Sequence, residues 1–128
     1  KVMSFIDFFG NKVRARDVVY SNGNSLEISK EWQRLDINCG GFKTITVDLS
    51  KYNEFLLTIG TYPADQYRIL SSTVIPKTAL ENMIGQDSNG YFQVRYSDYY
   101  WAGLDYLGNN KIRYRSSNNE GLATIWAR

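Results

Sequence analysis

The residues best suited to chemistry in this sequence lie in the stretch SDYYWAGLDYLG, between Ser97 and Gly108. Asp98 and Asp105 flank a run of aromatic side chains there, among them Tyr99 and Trp101. Two carboxylates are enough for a glycosidase, in which one acts as general acid and the other as nucleophile or base. An aromatic ring beside hydrogen-bonding groups can instead bind a sugar without cleaving it, because the C–H face of the sugar stacks on the ring.

The rest of the sequence favours recognition over catalysis. The 128 residues include no histidine, so a serine or the single Cys39 would lack the base that usually activates such a nucleophile. We expect Asp98 in a turn and Asp105 on a solvated face, where carboxylates ordinarily lie. Zinc would lack its usual ligands, and the sequence contains neither a calcium-binding loop nor a phosphate-binding glycine loop. We therefore expect a protein that is not an enzyme and needs no metal or cofactor.

Strand alternation divides the side chains of this stretch into two sets. In an extended chain successive side chains point to opposite faces, so Tyr100 and Leu104 share one face while Tyr99 and Trp101 share the other. Only one face can pack on the main core. The other is left for a ligand, a loop or a neighbouring subunit.

The sequence offers two candidates for the saccharide site. The first is the hairpin around residues 97–108, and its candidate residues are Trp101 and Tyr99 for stacking, with Asp98, Asp105 and Arg95 for hydrogen bonds to hydroxyls. The second candidate is the loop from Thr61 to Gln66, which carries Tyr62 and Asp65. The alternative for the aromatic residues is plain packing in the core or against another subunit, as for most large aromatic side chains of a small domain.

The elements that would position this site are short strands. Apolar residues alternate or run briefly between Asn- and Gly-containing segments, which favour tight turns because both residues tolerate positive φ. Only PKTALENMIG, from Pro76 to Gly85, is typical of a helical turn. About eight or nine strands at this spacing predict a mostly antiparallel β-sandwich. No repeat or linker interrupts the chain, so we predict a single domain over residues 1–128.

The same alternation assigns faces across residues 91–114. The side chains predicted to point inward are Phe92, Val94, Tyr96, Ile112 and Tyr114. Those predicted to point outward are Gln93, Arg95, Lys111 and Arg113. The outer face is thus mixed in polarity and basic.

Charge and hydropathy exclude two classes of partner. The net charge is only +2, with 15 basic and 13 acidic residues scattered along the chain apart from Lys111, Arg113 and Arg115, so nucleic-acid binding is not indicated. A mean hydropathy of -0.40 leaves no room for a membrane span. Because the chain begins at Lys1 rather than Met, we expect it to be the C-terminal part of a longer chain.

The run WQRLDINCGGFKTITVDLSKYNEFLLTIGTY, from Trp32 to Tyr62, is followed by RILSSTVIP and by the closing LATIWAR. This ordered pattern resembles the C-terminal head domains of tail-fibre and receptor-binding proteins of phages that infect Gram-positive bacteria. In such chains a segment like VDLSKYNEFLL is followed in order by an SSTVIP strand, by Tyr-rich hairpins and by a short terminal strand. The resemblance covers residues 32–128. Its motifs are structural, so they carry over no sugar-contact residue.

The resemblance implies the antiparallel β-sandwich head of a homotrimeric fibre that binds host cell-wall saccharide. It also implies a place at the tail tip or baseplate of the virion, and contacts with other tail or baseplate proteins through an upstream region. Two alternatives stay open: a carbohydrate-binding module of a secreted bacterial enzyme or adhesin, and a purely structural tail or baseplate component. A module is expected to be monomeric, and a structural component to bind no glycan.

Overall fold

The computed structural model describes residues 31–61 and 68–128. The chain divides into two units, Lys1–Glu31 and Trp32–Arg128, and the second is the one described below. That residues 1–128 form a single domain stays a prediction. Within the described ranges, no helix is long and apolar enough to cross a membrane.

Eight strands and very little helix make up the described part of the chain. In chain order the strands are β1 (Gln33–Cys39), β2 (Lys43–Thr46), β3 (Glu54–Thr61), β4 (Arg68–Pro76), β5 (Phe92–Arg95), β6 (Trp101–Gly108), β7 (Lys111–Ser116) and β8 (Gly121–Ala127). A 3-10 helix, Leu49–Lys51, lies between β2 and β3, and helix α1, Lys77–Asn82, follows β4. The predicted helical turn after Pro76 is confirmed.

The strands form two antiparallel sheets of four strands each. The first sheet has the order β1-β8-β3-β4 and the second the order β2-β7-β6-β5. Between β6 and β7, Asn109 and Asn110 have φ values of 54° and 63°, in the left-handed region that a two-residue hairpin turn requires and Asn tolerates. The all-β prediction is confirmed.

Both sheets contribute side chains to one core. Its fully buried members include Phe55, Leu57, Ile59 and Ile125 from the first sheet and Ala102, Leu104, Ile112 and Tyr114 from the second. Val94 is also buried, and Phe92 packs against the core. The inward positions predicted for residues 91–114 are therefore confirmed, except for Tyr96.

Tyr96 is 58% exposed, so its predicted inward position is wrong. Strand β5 ends at Arg95, and the Tyr96 N–H donates to the Tyr100 carbonyl across a tight turn. Alternation between faces holds only while the backbone stays extended, and here it ends one residue before Tyr96.

A hydrogen bond connects the two sheets beside the core. The hydroxyl of Tyr114 on β7 donates to Asp36 Oδ2 on β1 at 2.6 Å, and Lys43 Nζ lies 3.0 Å from Asp36 Oδ1. Burial raises the pKa of the Tyr114 phenol well above its ordinary value, and the Asp36 carboxylate raises it further. Tyr114 therefore ties β7 to the first sheet, and its neighbours Arg113 and Arg115 project from the opposite face of the same strand.

Candidate functional site

The candidate site lies on the outer face of the second sheet, the face opposite the core. Register places Arg95 on β5 opposite Trp101 on β6, and Gly103 on β6 opposite Arg115 on β7. Residues opposite each other in an antiparallel pair share a face, so all four positions lie on the same surface. We call Arg95, Trp101 and Arg115, together with Asp98 beside Arg95 in the β5–β6 turn, the open half of the outer face.

Two guanidinium groups hold the Trp101 ring in the open half. Arg95 Cζ lies 5.3 Å from the centroid of the Trp101 ring, and Arg115 Cζ lies 5.2 Å from it. Phe42, just before β2, extends the same arrangement, with Arg113 at 3.7 Å and Arg115 at 5.4 Å from its centroid. Each contact is a cation–π interaction, which restrains a long arginine side chain in a defined place.

The neighbouring part of the outer face is filled by a loop. We call Gly103, Asp105 and Arg113 the covered half, because the Asp87–Tyr91 loop lies across them. A Cβ at Gly103 would overlap the backbone carbonyl of Asn89, so only glycine allows the loop to lie so close to β6. Arg113 Nη2 donates to the Asp87 carbonyl at 2.8 Å and fixes the other side of the loop.

Asp105 is fully buried beneath this loop, so the predicted solvated position is wrong. Its Oδ1 accepts from the Tyr91 N–H at 2.7 Å, and its Oδ2 accepts from the Asp87 N–H at 3.2 Å and from Arg113 Nε at 2.8 Å. Alternation assigned Asp105 to the correct face. It could not show that a loop covers this face, and the carboxylate has no exposed oxygen left for a sugar hydroxyl or for catalysis.

Arg95 is exposed, in agreement with its predicted outward position, and Asp98 is exposed in the turn between β5 and β6. The Asp98 side chain is fully exposed, and its Oδ1 lies 3.6 Å from Arg95 Nη1. Arg95 Nη2 donates to Gln93 Oε1 at 3.4 Å. A long ion pair between exposed groups contributes little to stability, so both groups can exchange their partners for a ligand.

Tyr99 lies at the tip of the β5–β6 hairpin, and the residue is 54% exposed. Its hydroxyl donates to Glu120 Oε1 at 2.7 Å, and that hydrogen bond raises the pKa of the Tyr99 phenol. Its carbonyl accepts from Ser117 Oγ and from Asn118 Nδ2, both at 2.6 Å. The tip is therefore braced against the 117–120 turn. Within the described ranges, Tyr99 makes its ring contact with Tyr100 and not with Trp101.

The second predicted candidate, the loop with Tyr62 and Asp65, lies outside the described residues. Two further residues of the surface, Phe42 and Arg115, were not predicted as site residues. The alternation of Lys111, Arg113 and Arg115 is a usable signal for Arg115. Phe42 has no such signal, because it reaches Arg113 and Arg115 only through the pairing of β2 with β7.

A separate cavity of about 220 Å³ lies where β1 and β2 approach the 3-10 helix. Its lining residues are Leu35, Ile45, Thr46, Val47, Asp48, Lys51 and Tyr52. Asp48 already accepts hydrogen bonds from the Ser50 backbone N–H and hydroxyl, which lower the pKa of its carboxyl. No predicted site residue lines this cavity, so it serves as a comparison site in the experiments below.

Metal ligands do not cluster in the part of the chain that the structure describes: no group of three or more His, Cys, Asp or Glu side chains could hold an ion there. Comparison with known proteins adds no assignment, since no family model, curated protein or solved structure matches the chain.

Proposed function

We propose that this protein is the receptor-binding head of a phage tail protein, which attaches the virion to a saccharide on the host cell surface without cleaving it. The sequence resemblance over residues 32–128 and the all-β fold support this proposal. The observation that carries it is the open half, where the half-buried Trp101 ring lies between two guanidinium groups beside the fully exposed Asp98.

The open half offers the groups that a sugar requires. The indole of Trp101 supplies apolar surface, Arg95 and Arg115 supply donors, and Asp98 supplies acceptors for hydroxyl groups. Because two guanidinium groups already contact the indole, a sugar ring binds over the part of the indole that they leave free. The Tyr99 hydroxyl and Glu120 form a second polar edge at the tip of the same hairpin.

The proposed head is a β-sandwich, with the two sheets packed face to face, and it assembles as a homotrimer. Three equivalent sites on one symmetric head convert weak binding of a single saccharide into firm attachment through multivalency. A carbohydrate-binding module would use the same surface as a monomer. A structural tail component would bind no glycan.

Cell-wall binding by Trp101→Ala tests the proposal. Purified cell walls from a panel of Gram-positive bacteria identify a bound wall, and the variant should then bind it at least about tenfold more weakly, as for loss of a central aromatic contact. Tyr52→Ala, in the separate cavity, is the matched control and should bind as before. An unchanged affinity in Trp101→Ala, with an unchanged melting curve, excludes this surface as the site.

The oligomeric state distinguishes the head from a module. Light scattering should give about three times the 14.8 kDa chain mass. A mass of one chain at micromolar concentration, combined with wall binding that depends on Trp101, favours the carbohydrate-binding module.

A further inference from the structure

The open half contains a guanidinium group that no acidic side chain neutralises. Arg115 Nε donates to the Ser116 carbonyl at 3.1 Å. Within the described ranges, Arg115 forms no ion pair, and its two terminal amino groups have no hydrogen-bond partner. The side chain is partly buried, with its guanidinium against both Trp101 and Phe42.

The two neighbouring arginines have their own carboxylates. Arg113 is paired with the buried Asp105 at 2.8 Å, and Arg95 is paired with the exposed Asp98 at 3.6 Å. Among these three guanidinium groups, only that of Arg115 has no carboxylate partner within the described ranges. A cation of this kind attracts an anion more strongly than an arginine whose charge is already compensated.

We propose that Arg115 binds an anionic group, a phosphate or a carboxylate, carried by the saccharide; the proposal rests on the function proposed above. The planar guanidinium presents parallel N–H groups that match the oxygens of either anion. Contact with two aromatic rings restrains the side chain before the ligand arrives, so less conformational entropy is lost on binding. Because Arg115 lies 5.2 Å from the Trp101 ring centroid, one sugar unit can contact the indole while its anionic group reaches Arg115.

NMR titration of the full 128-residue chain tests this inference with three defined probes at constant ionic strength. The probes are methyl glucoside, which is neutral, glucose 6-phosphate and glucuronate. We expect at least one anionic sugar to shift the Trp101 indole N–H and the Arg115 Nε–H signals, with an affinity roughly tenfold or more above that of the neutral sugar. The affinities for glucose 6-phosphate and for glucuronate show whether phosphate or carboxylate is preferred.

Three variants assign the preference to Arg115. Arg115→Gln removes the charge and should abolish the preference for the anionic sugar. Arg115→Lys retains the charge but loses the planar fork, so it should retain only part of the preference. Lys111→Gln removes an exposed cation from the same strand and is the matched control, which should retain the full preference. Added NaCl should weaken the binding of the anionic probes, and not of the neutral one, to the unmodified chain. This test needs no variant.

Two results would overturn the inference. One is equal affinity for the neutral and anionic probes, or no signal shift with any of the three. The other is a preference that survives in Arg115→Gln. Either result leaves the proposed saccharide-binding function intact if Trp101→Ala still loses binding to cell walls. Conversely, if the preference for anionic sugars is intact but wall binding does not depend on Trp101, Arg115 binds anionic sugars and this surface is not the cell-wall site.

Discussion

The two halves of the outer face share strands and follow the same alternation, yet their charged groups differ in burial and in pairing. In the covered half, Asp105 and Arg113 are paired at 2.8 Å under a loop, and Asp105 is fully buried. In the open half, Arg95 and Asp98 are 3.6 Å apart, and the Asp98 side chain is fully exposed. The presence of the Asp87–Tyr91 loop is the main difference between them.

This difference shows how one sheet surface can both stabilise a loop and present charged groups to a ligand. Charges that are buried and hydrogen-bonded fix the backbone, because removing one partner leaves the other buried and unsatisfied. Charges that are exposed stay exchangeable and can bind a ligand. Phe42 contacts Arg113 and Arg115, one arginine from each half, and so links the fixed region to the exchangeable one.

The largest expected effect is that of Asp105→Ala in the covered half. The substitution leaves Arg113 Nε and the N–H groups of Asp87 and Tyr91 without their acceptor, so the free energy of unfolding should fall by about 3 to 5 kcal/mol. Urea denaturation followed by tryptophan fluorescence measures it. Asp98→Ala, in the open half, is the control and should change stability by no more than about 0.5 kcal/mol. If both substitutions lower the free energy of unfolding by the same small amount, the charged groups of the two halves do not differ in their contribution to stability.

A smaller effect is expected from Gly103→Ala, which tests the loop rather than the charge. The added methyl group overlaps the Asn89 carbonyl, so the loop must move, at a cost of about 1 to 3 kcal/mol. Gly41→Ala is the matched control, because a Cβ there meets no atom within 4 Å. Thermal melting of both variants measures the difference. If Gly103→Ala melts like Gly41→Ala, the loop does not lie against β6 as described.

The smallest effect is expected from raising the pH and concerns Tyr114, on the face of β7 that points into the core. The free energy of unfolding should fall by up to about 1.4 kcal/mol per pH unit. The folded-state pKa of Tyr114 lies above its unfolded value of 10.0, so stability is fully present below pH 10. Above pH 10 the unfolded state releases the proton that the folded state retains, and stability falls as pH rises. Urea denaturation between pH 9 and 11.5 should show a steeper loss than in Tyr114→Phe. Parallel slopes would mean that the phenol is not held protonated.

Much of the fold could be predicted because local patterns determine it. Alternation placed Val94, Ile112 and Tyr114 inward, and Asn-containing segments such as the β6–β7 turn gave the hairpins. The prediction for Tyr96 was wrong because alternation does not show where a strand ends. The pairing of β1 with β8, between distant parts of the chain, has no local signal either.

The candidate site was predictable only in part. Trp101, Arg95 and Asp98 could be assigned from their positions around one hairpin, and the structure places all three in or beside the open half. Asp105 was expected to be solvated because its sequence neighbours do not reveal the loop that covers it. Phe42 was missed because it is far from the hairpin in sequence.

The sequence by itself determined the strand class, the inward side chains other than Tyr96 and the basic character of the outer face, since residue types and a two-residue period are local properties. Only the tertiary structure decided which charges on that face are neutralised. That choice depends on distances between strands and a loop that are separate in sequence. Arg113 and Arg115 differ by two positions on one strand, yet Arg113 is paired with the buried Asp105, while Arg115 lies between two aromatic rings with its charge available.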